Sequence, residues 1–149
     1  MRIPAPDGPT ALADLVTPWT TASDGRVETA AVHGDAPEAI GALGPRVARI
    51  TEADLSDALA LMAWTGASGG AHGRRRGAAT GRFGAWWVVA ALAGRLDDWP
   101  LEGDDLAGSA EALRWYRWDA GEPATGWSFQ LAVHDPTRGM AWAVSATDA

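Results

Sequence analysis

The sequence predicts an α+β protein of two layers, in which an antiparallel β-meander packs against a pair of helices. In the last third of the chain, apolar and polar residues alternate, which is the period of a strand with one buried face. In the middle of the chain, apolar residues recur at helical spacing. The chain has 149 residues, the length of one typical domain, and we expect a single domain over residues 1–149.

The first third of the chain predicts two short helices and two additional strands. Thr10 can cap a helix that ends at Pro18, and we expect residues 1–25 to form a loosely ordered arm containing it. The two strands are predicted over residues 26–33 and 46–50. Asp35 can cap the helix between these strands, and the pair Gly44-Pro45 ends it.

Two longer helices are predicted in the middle of the chain. Residues 51–54, Thr-Glu-Ala-Asp, resemble a capping box with Asp in place of the usual Glu, and the first helix is predicted over residues 52–64. The second helix is predicted over residues 76–96, and a shorter helical stretch follows at 104–112.

The C-terminal meander is predicted to contain three strands. The first strand covers residues 113–118. The second begins at Trp127 and the third at Met140, and in both of them apolar and polar residues alternate. Residues 135–139 predict a five-residue hairpin loop, with Pro at the start of a turn and Gly where a positive φ is needed. Trp127 and Trp142 are predicted to form an aromatic pair across the two strands.

Composition excludes several classes of function. The net charge of −7 opposes general affinity for nucleic acid, because that affinity depends on neutralising phosphates. The absence of Cys excludes disulfides and thiolate metal sites. The three His do not stand at metal-ligand spacing, so we expect neither a metal nor a cofactor. All twelve Lys and Arg positions are Arg. The high content of Ala, Gly, Arg, Asp and Pro is typical of a high-GC bacterial genome.

The sequence also predicts a cytoplasmic protein. The longest apolar run, residues 85–93, is about half of what a membrane span needs. The polar, Pro-rich start of the chain does not have the pattern of a signal peptide. We therefore expect no membrane partner.

Residues 66–84 form the most unusual segment, which we call the Gly/Arg segment. Glycines recur in it at intervals of about four residues. In one interpretation its first half is a flexible turn, and Arg side chains at the start of the following helix bind an anion. In the other interpretation part of the segment is helical, and its glycines form a smooth stripe that lets another backbone approach closely, a gain that must outweigh about 1 kcal/mol of lost helix propensity per Gly.

The candidate ligand-binding residues are the four arginines of this segment, Arg74, Arg75, Arg76 and Arg82. No acidic residue stands between Asp57 and Asp97, so these cations have no acidic neighbour in the sequence. The alternative is structural, because residues 97–105 contain five acids that could pair with them. His72 would supply acid–base chemistry if the protein were an enzyme.

The polar side of the predicted hairpin is small and nearly uncharged, which suggests that something covers it. A second copy of the chain, another element or a flat ligand would fit, and the alternative is the chain's own N-terminal third. The predicted interface residues on this surface are Trp118, Gln130, Ala132, Ala141 and Ala143.

These observations do not identify an activity. They favour a non-enzymatic binding or interaction protein, a homodimer, that holds an anionic small molecule or an acidic partner surface through the Gly/Arg segment. An enzyme acting on a phosphorylated or carboxylated small molecule is the first alternative. A structural subunit of a larger assembly is the second.

Overall fold

The computed structural model describes residues 7–21, 23, 25–44, 49–68, 75–95, 98, 103–119 and 127–148. Six helices and five strands lie within these residues. In chain order they are α1 (Asp7–Leu15), α2 (Thr17–Thr21), β1 (Arg26–His33), α3 (Ala36–Ala42), β2 (Arg49–Ala53), α4 (Leu55–Ala67), α5 (Ala78–Leu92), α6 (Gly103–Glu111), β3 (Arg114–Asp119), β4 (Trp127–Asp135) and β5 (Met140–Asp148).

The five strands form one antiparallel sheet in the order β1-β5-β4-β3-β2. The predicted α+β class and the C-terminal meander of β3, β4 and β5 are confirmed. The two predicted N-terminal strands are present, and they form the two edges of the sheet. The last strand, β5, lies between β1 and β4, an order that the sequence pattern left open.

The β4–β5 hairpin has the predicted turn chemistry. Asp135 is the last residue of β4, so the loop contains four residues rather than five. The Asp135 carboxylate accepts hydrogen bonds from the backbone N–H groups of Thr137 and Arg138, at 3.0 and 3.2 Å. Gly139 has a φ of 65°, a conformation that Gly adopts without strain. The expected pairing of Trp127 with Trp142 is wrong, because Trp142 lies opposite Val133 and Trp127 opposite Asp148.

One face of the sheet packs against α1, α4 and α5 and forms the main core with them. Side chains from the three central strands of this face are buried in that core: Trp115, Phe129, Leu131, Val133, Trp142 and Val144. The predicted helix pair is α4 and α5. Among the described residues, no helix is both long enough and apolar enough to cross a membrane.

The opposite face of the sheet is covered in its middle by α3. Asp35 caps this helix in a full capping box with Glu38, and Ala39 and Ile40 pack against the sheet. Beneath α3, the side chains of Ala132, Ala141 and Ala143 are fully buried and that of Trp118 is 5% exposed. The prediction that these residues face a second copy of the chain is therefore corrected, since the chain's own N-terminal third covers them. Gln130, at the margin of this covered area, is half-buried.

The N-terminal elements differ from the expected loose arm. Leu12, Val16 and Trp19 are fully buried in the main core, so residues 7–21 belong to the folded body. The first helix begins at Asp7, ahead of Thr10, and Pro18 lies in the first turn of α2 instead of ending α1. Proline is accepted at such a position because the first turn of a helix needs no N–H donor there.

The boundaries of β2 and α4 also shift. The predicted strand over residues 46–50 is found at 49–53, and residues 45–48 lie outside the described ones. Consequently α4 starts at Leu55, and its cap is Asp54, which accepts from the Asp57 N–H at 2.8 Å. Thr51 is not the cap because it pairs with Arg117 in the sheet.

Candidate functional site

The glycines of the Gly/Arg segment bring α4 and α5 into backbone contact. A Cβ atom added to Gly81 of α5 would lie 2.1 Å from the carbonyl oxygen of Ala63 in α4. A Cβ on Gly66 of α4 would lie 3.3 Å from the Cα of Gly81. The close-approach interpretation therefore holds for these two glycines, which lie on two facing helices rather than along one. Residues 69–74 lie outside the described residues.

Gly77 has a different role. It is the residue before α5, its φ is 93°, and a Cβ atom added there would meet nothing within 4 Å. Gly77 therefore serves the backbone conformation at the start of α5 and not the contact between helices.

Helix α1 lies across this pair of helices and completes a cavity. A Cβ on Gly84 would lie 2.9 Å from the Cδ2 atom of Leu15 in α1, so the glycine makes room for that side chain. The cavity has a volume of about 300 Å³. Its lining comes from α1, α4 and the start of α5: Ala11, Asp14, Leu15, Gly66, Arg76, Thr80, Phe83, Gly84 and Trp87.

A pair of aromatic rings forms one wall of the cavity. Phe83 and Trp87 stand four residues apart on α5 and stack with ring centroids 6.2 Å apart and an interplanar angle of 13°. Phe83 is 57% exposed, which is unusual for a large apolar side chain. The wall is therefore an aromatic surface with an exposed ring, Phe83, and a half-buried ring, Trp87, and such a surface can contact a planar or branched apolar group.

Of the four candidate arginines, the structure brings Arg76 to the cavity. The Arg76 backbone N–H donates to the Ala67 carbonyl oxygen at 2.7 Å, which ties the residue to the end of α4. Arg75 and Arg82 are exposed and do not line the cavity. Arg74 and the candidate acid–base residue His72 lie outside the described residues.

The predicted ion pairing of these arginines is not seen within the described part of the chain. None of the ion pairs there involves Arg75, Arg76 or Arg82. Asp98, from the acidic stretch, pairs instead with Arg95, three residues away, at 2.9 Å. Asp97 lies outside the described residues.

Arg76 is the one described candidate binding residue that lines the cavity, and the missed lining residues include Asp14, Phe83 and Trp87. The i, i+4 spacing of Phe83 and Trp87 was available as a signal of two rings on one helix face. Asp14 carried no such signal, because its place depends on how α1 packs over α4 and α5.

A second polar group lies on the opposite face of the sheet, beyond α3. The Arg114 guanidinium contacts the Glu52 carboxylate at 2.7 Å across strands β3 and β2. Burial raises the pKa of the neighbouring Tyr116 phenol, and the Glu52 carboxylate raises it further. Both members of the ion pair are more than half exposed, and the described residues include no cluster of His, Cys, Asp and Glu that could hold a metal ion. This group is a surface contact between strands.

Comparison with known proteins adds a family but no activity. No curated protein and no solved structure matches the chain. A match over residues 2–149 shows that the chain belongs to DUF6183, a family of unknown function.

Proposed function

We propose that this protein is a non-enzymatic binding protein that holds a small anionic organic molecule in the cavity between α1, α4 and α5. One observation carries the proposal. Arg76, which carries a guanidinium group, lines the same cavity as the stacked aromatic pair of Phe83 and Trp87.

The chemistry of the lining supports an anionic group joined to an apolar body. Guanidinium pairs well with carboxylate or phosphate, because its N–H groups form a planar fork that matches two oxygens. The aromatic wall and Leu15 offer the apolar contact. Thr80, half-buried beside them, adds a hydroxyl that can donate to a ligand oxygen.

The size and rigidity of the cavity favour a small molecule over an acidic protein surface. At about 300 Å³ it stands at the lower end of the range of ligand pockets. One of its lining residues, Gly66, lies in the contact with Gly81, where backbone lies against backbone. A cavity beside such a contact is formed before the ligand arrives, which lowers the entropy cost of binding.

The proposal includes the cytoplasmic location and the homodimer that the sequence predicts. A dimer contact would lie outside the surface that α3 covers. Size-exclusion chromatography of the wild-type protein at high concentration tests the dimer, and a monomeric peak contradicts it.

Thermal unfolding tests the binding proposal. The wild-type protein is screened against aliphatic and aromatic carboxylates, organic phosphates and nucleotides, and then compared with Arg76→Gln and with Arg75→Gln. Arg75 is the matched control, because it is the exposed neighbour that does not line the cavity. We expect at least one anion to stabilise the wild type by about 2.7 kcal/mol at a hundredfold excess over its Kd.

That stabilisation should vanish in Arg76→Gln and persist in Arg75→Gln. No response to any anion, or an equal response in wild type and Arg76→Gln, contradicts the proposal.

A further inference from the structure

We infer that the ligand of the α1–α4–α5 cavity is a zwitterion, an apolar amino acid or a close analogue that carries one ammonium and one carboxylate group. The inference rests on the proposed function and adds the class of ligand. It comes from a second charged residue in the same lining, Asp14, which sequence reasoning did not single out.

Asp14 and Arg76 bring opposite charges to one cavity from separate elements. Asp14 stands in α1, and Arg76 stands just before α5. No ion pair joins them, and neither forms an ion pair with any other described residue. With respect to the described residues, the two charges are therefore available to two separate groups of a ligand.

A ligand with only an anionic group uses one of the two charges of this lining and should bind more weakly than a zwitterion. Its anion would gain from Arg76 but would be repelled by Asp14, since both act across the same small cavity. An ammonium group on the same ligand would be attracted to the Asp14 carboxylate, and this attraction would offset the repulsion. A lining with one acid and one base therefore selects for a ligand with both charges.

Each of the two helix ends near the cavity carries a partial charge of the same sign as the charged side chain beside it. Asp14 is the residue before the last one of α1, and the last turn of this helix contains no basic residue. The partial negative charge of that helix end and the Asp14 carboxylate both attract a cation. At the other side, α5 begins at Ala78, and the partial positive charge at its start adds to that of Arg76.

The rest of the lining indicates the ligand's side chain. Leu15, Phe83 and Trp87 add aliphatic and aromatic surface to the lining that Asp14 and Arg76 share. Together with the small volume, this favours amino acids with one ring or a branched aliphatic chain over longer peptides.

Titration calorimetry with three matched probes tests the inference. The probes are L-phenylalanine, 3-phenylpropionate, which lacks the ammonium group, and phenethylamine, which lacks the carboxylate. We expect the wild type to bind phenylalanine roughly fivefold more tightly than either truncated probe, the scale of one exposed ion pair. Asp14→Asn should remove the preference over 3-phenylpropionate, and Arg76→Gln should remove the preference over phenethylamine. Both residues are exposed, and circular dichroism of each variant checks that it is folded.

The outcomes separate this inference from the proposed function. Suppose that 3-phenylpropionate binds as tightly as phenylalanine, and that its affinity falls in Arg76→Gln but not in Asp14→Asn. The inference of a zwitterionic ligand is then wrong, and the proposal of anion binding stands. If phenethylamine binds best and Arg76→Gln has no effect, both are wrong. If none of the three probes binds, the amino-acid class is wrong, and the wider anion screen decides the proposed function separately.

Discussion

Two helical glycines of this protein differ in how closely other atoms pack against them. A Cβ atom on Gly81 of α5 would lie 2.1 Å from the Ala63 carbonyl oxygen, whereas a Cβ on Gly108 of α6 would meet nothing within 4 Å. The same substitution, Gly→Ala, should therefore have opposite effects at the two positions.

We expect Gly81→Ala to destabilise the protein by about 3 kcal/mol, because α4 and α5 must separate to admit the methyl group. Gly108→Ala should stabilise it by roughly 0.5–1 kcal/mol through helix propensity alone. Urea unfolding of both variants measures the two values. A neutral Gly81→Ala would mean that the two helices do not pack backbone to backbone.

Tyr116 offers a direct spectroscopic test, because it is the only tyrosine of the chain. Burial raises its pKa above the ordinary 10.0, and the Glu52 carboxylate acts in the same direction while Arg114 opposes it. Stability from the neutral phenol is complete below the ordinary pKa. It is lost as the pH rises through the raised pKa, since the unfolded chain releases the proton more readily.

Phenolate absorbance should consequently rise at a higher pH in the folded protein than in urea, and the free energy of unfolding should fall above pH 10. Tyr116→Phe is the control, since it should abolish the absorbance change and flatten that decline. A folded midpoint at or below the unfolded one contradicts this prediction.

At the scale of elements, α3 covers the middle of the opposite face of the sheet and so removes it from contact with other molecules. Ala143 is fully buried beneath this helix, so Ala143→Arg would place an unpaired charge in an apolar layer. We expect a loss of at least about 3 kcal/mol in stability. If Ala143 lay at a dimer contact instead, the same variant would be a folded monomer on size-exclusion chromatography.

Ser145→Arg is the matched control for this prediction. Ser145 stands two residues further along β5 on the same face, is half-buried, and lies opposite the exposed Glu28 of β1. The new guanidinium could reach water and that carboxylate. The free energy of unfolding of this variant should therefore lie within about 1 kcal/mol of the wild-type value.

For the molecule as a whole, the elements with one buried face were predictable from sequence. Residues 26–33 form a strand with the predicted bounds, and the hairpin loop follows from Asp135 and Gly139. Where two signals competed, the boundary moved. Thr51 and Asp54 can both cap a helix, and pairing of β2 with β3 left the role to Asp54.

The candidate site was predictable only in part. The Gly/Arg segment was singled out, and Arg76 within it does line the cavity. The cavity itself exists because Leu15 of α1 lies over Gly66 and Gly84, a contact between residues more than fifty positions apart. Periodicity reports the neighbours of a residue along the chain and not such long-range packing.

The place of β5 has a consequence for how the protein is made. It follows the other four described strands in sequence, yet it joins β1, the first of them, to the β2–β3–β4 side of the sheet. Among the described strands β1 pairs with β5 alone, so a nascent chain carries β1 without that neighbour until translation has passed Asp148. Assembly of β1 into the sheet therefore follows synthesis of β5, and a ribosome that stalls before β5 leaves the backbone groups of β1 unpaired and open to chaperones or to aggregation.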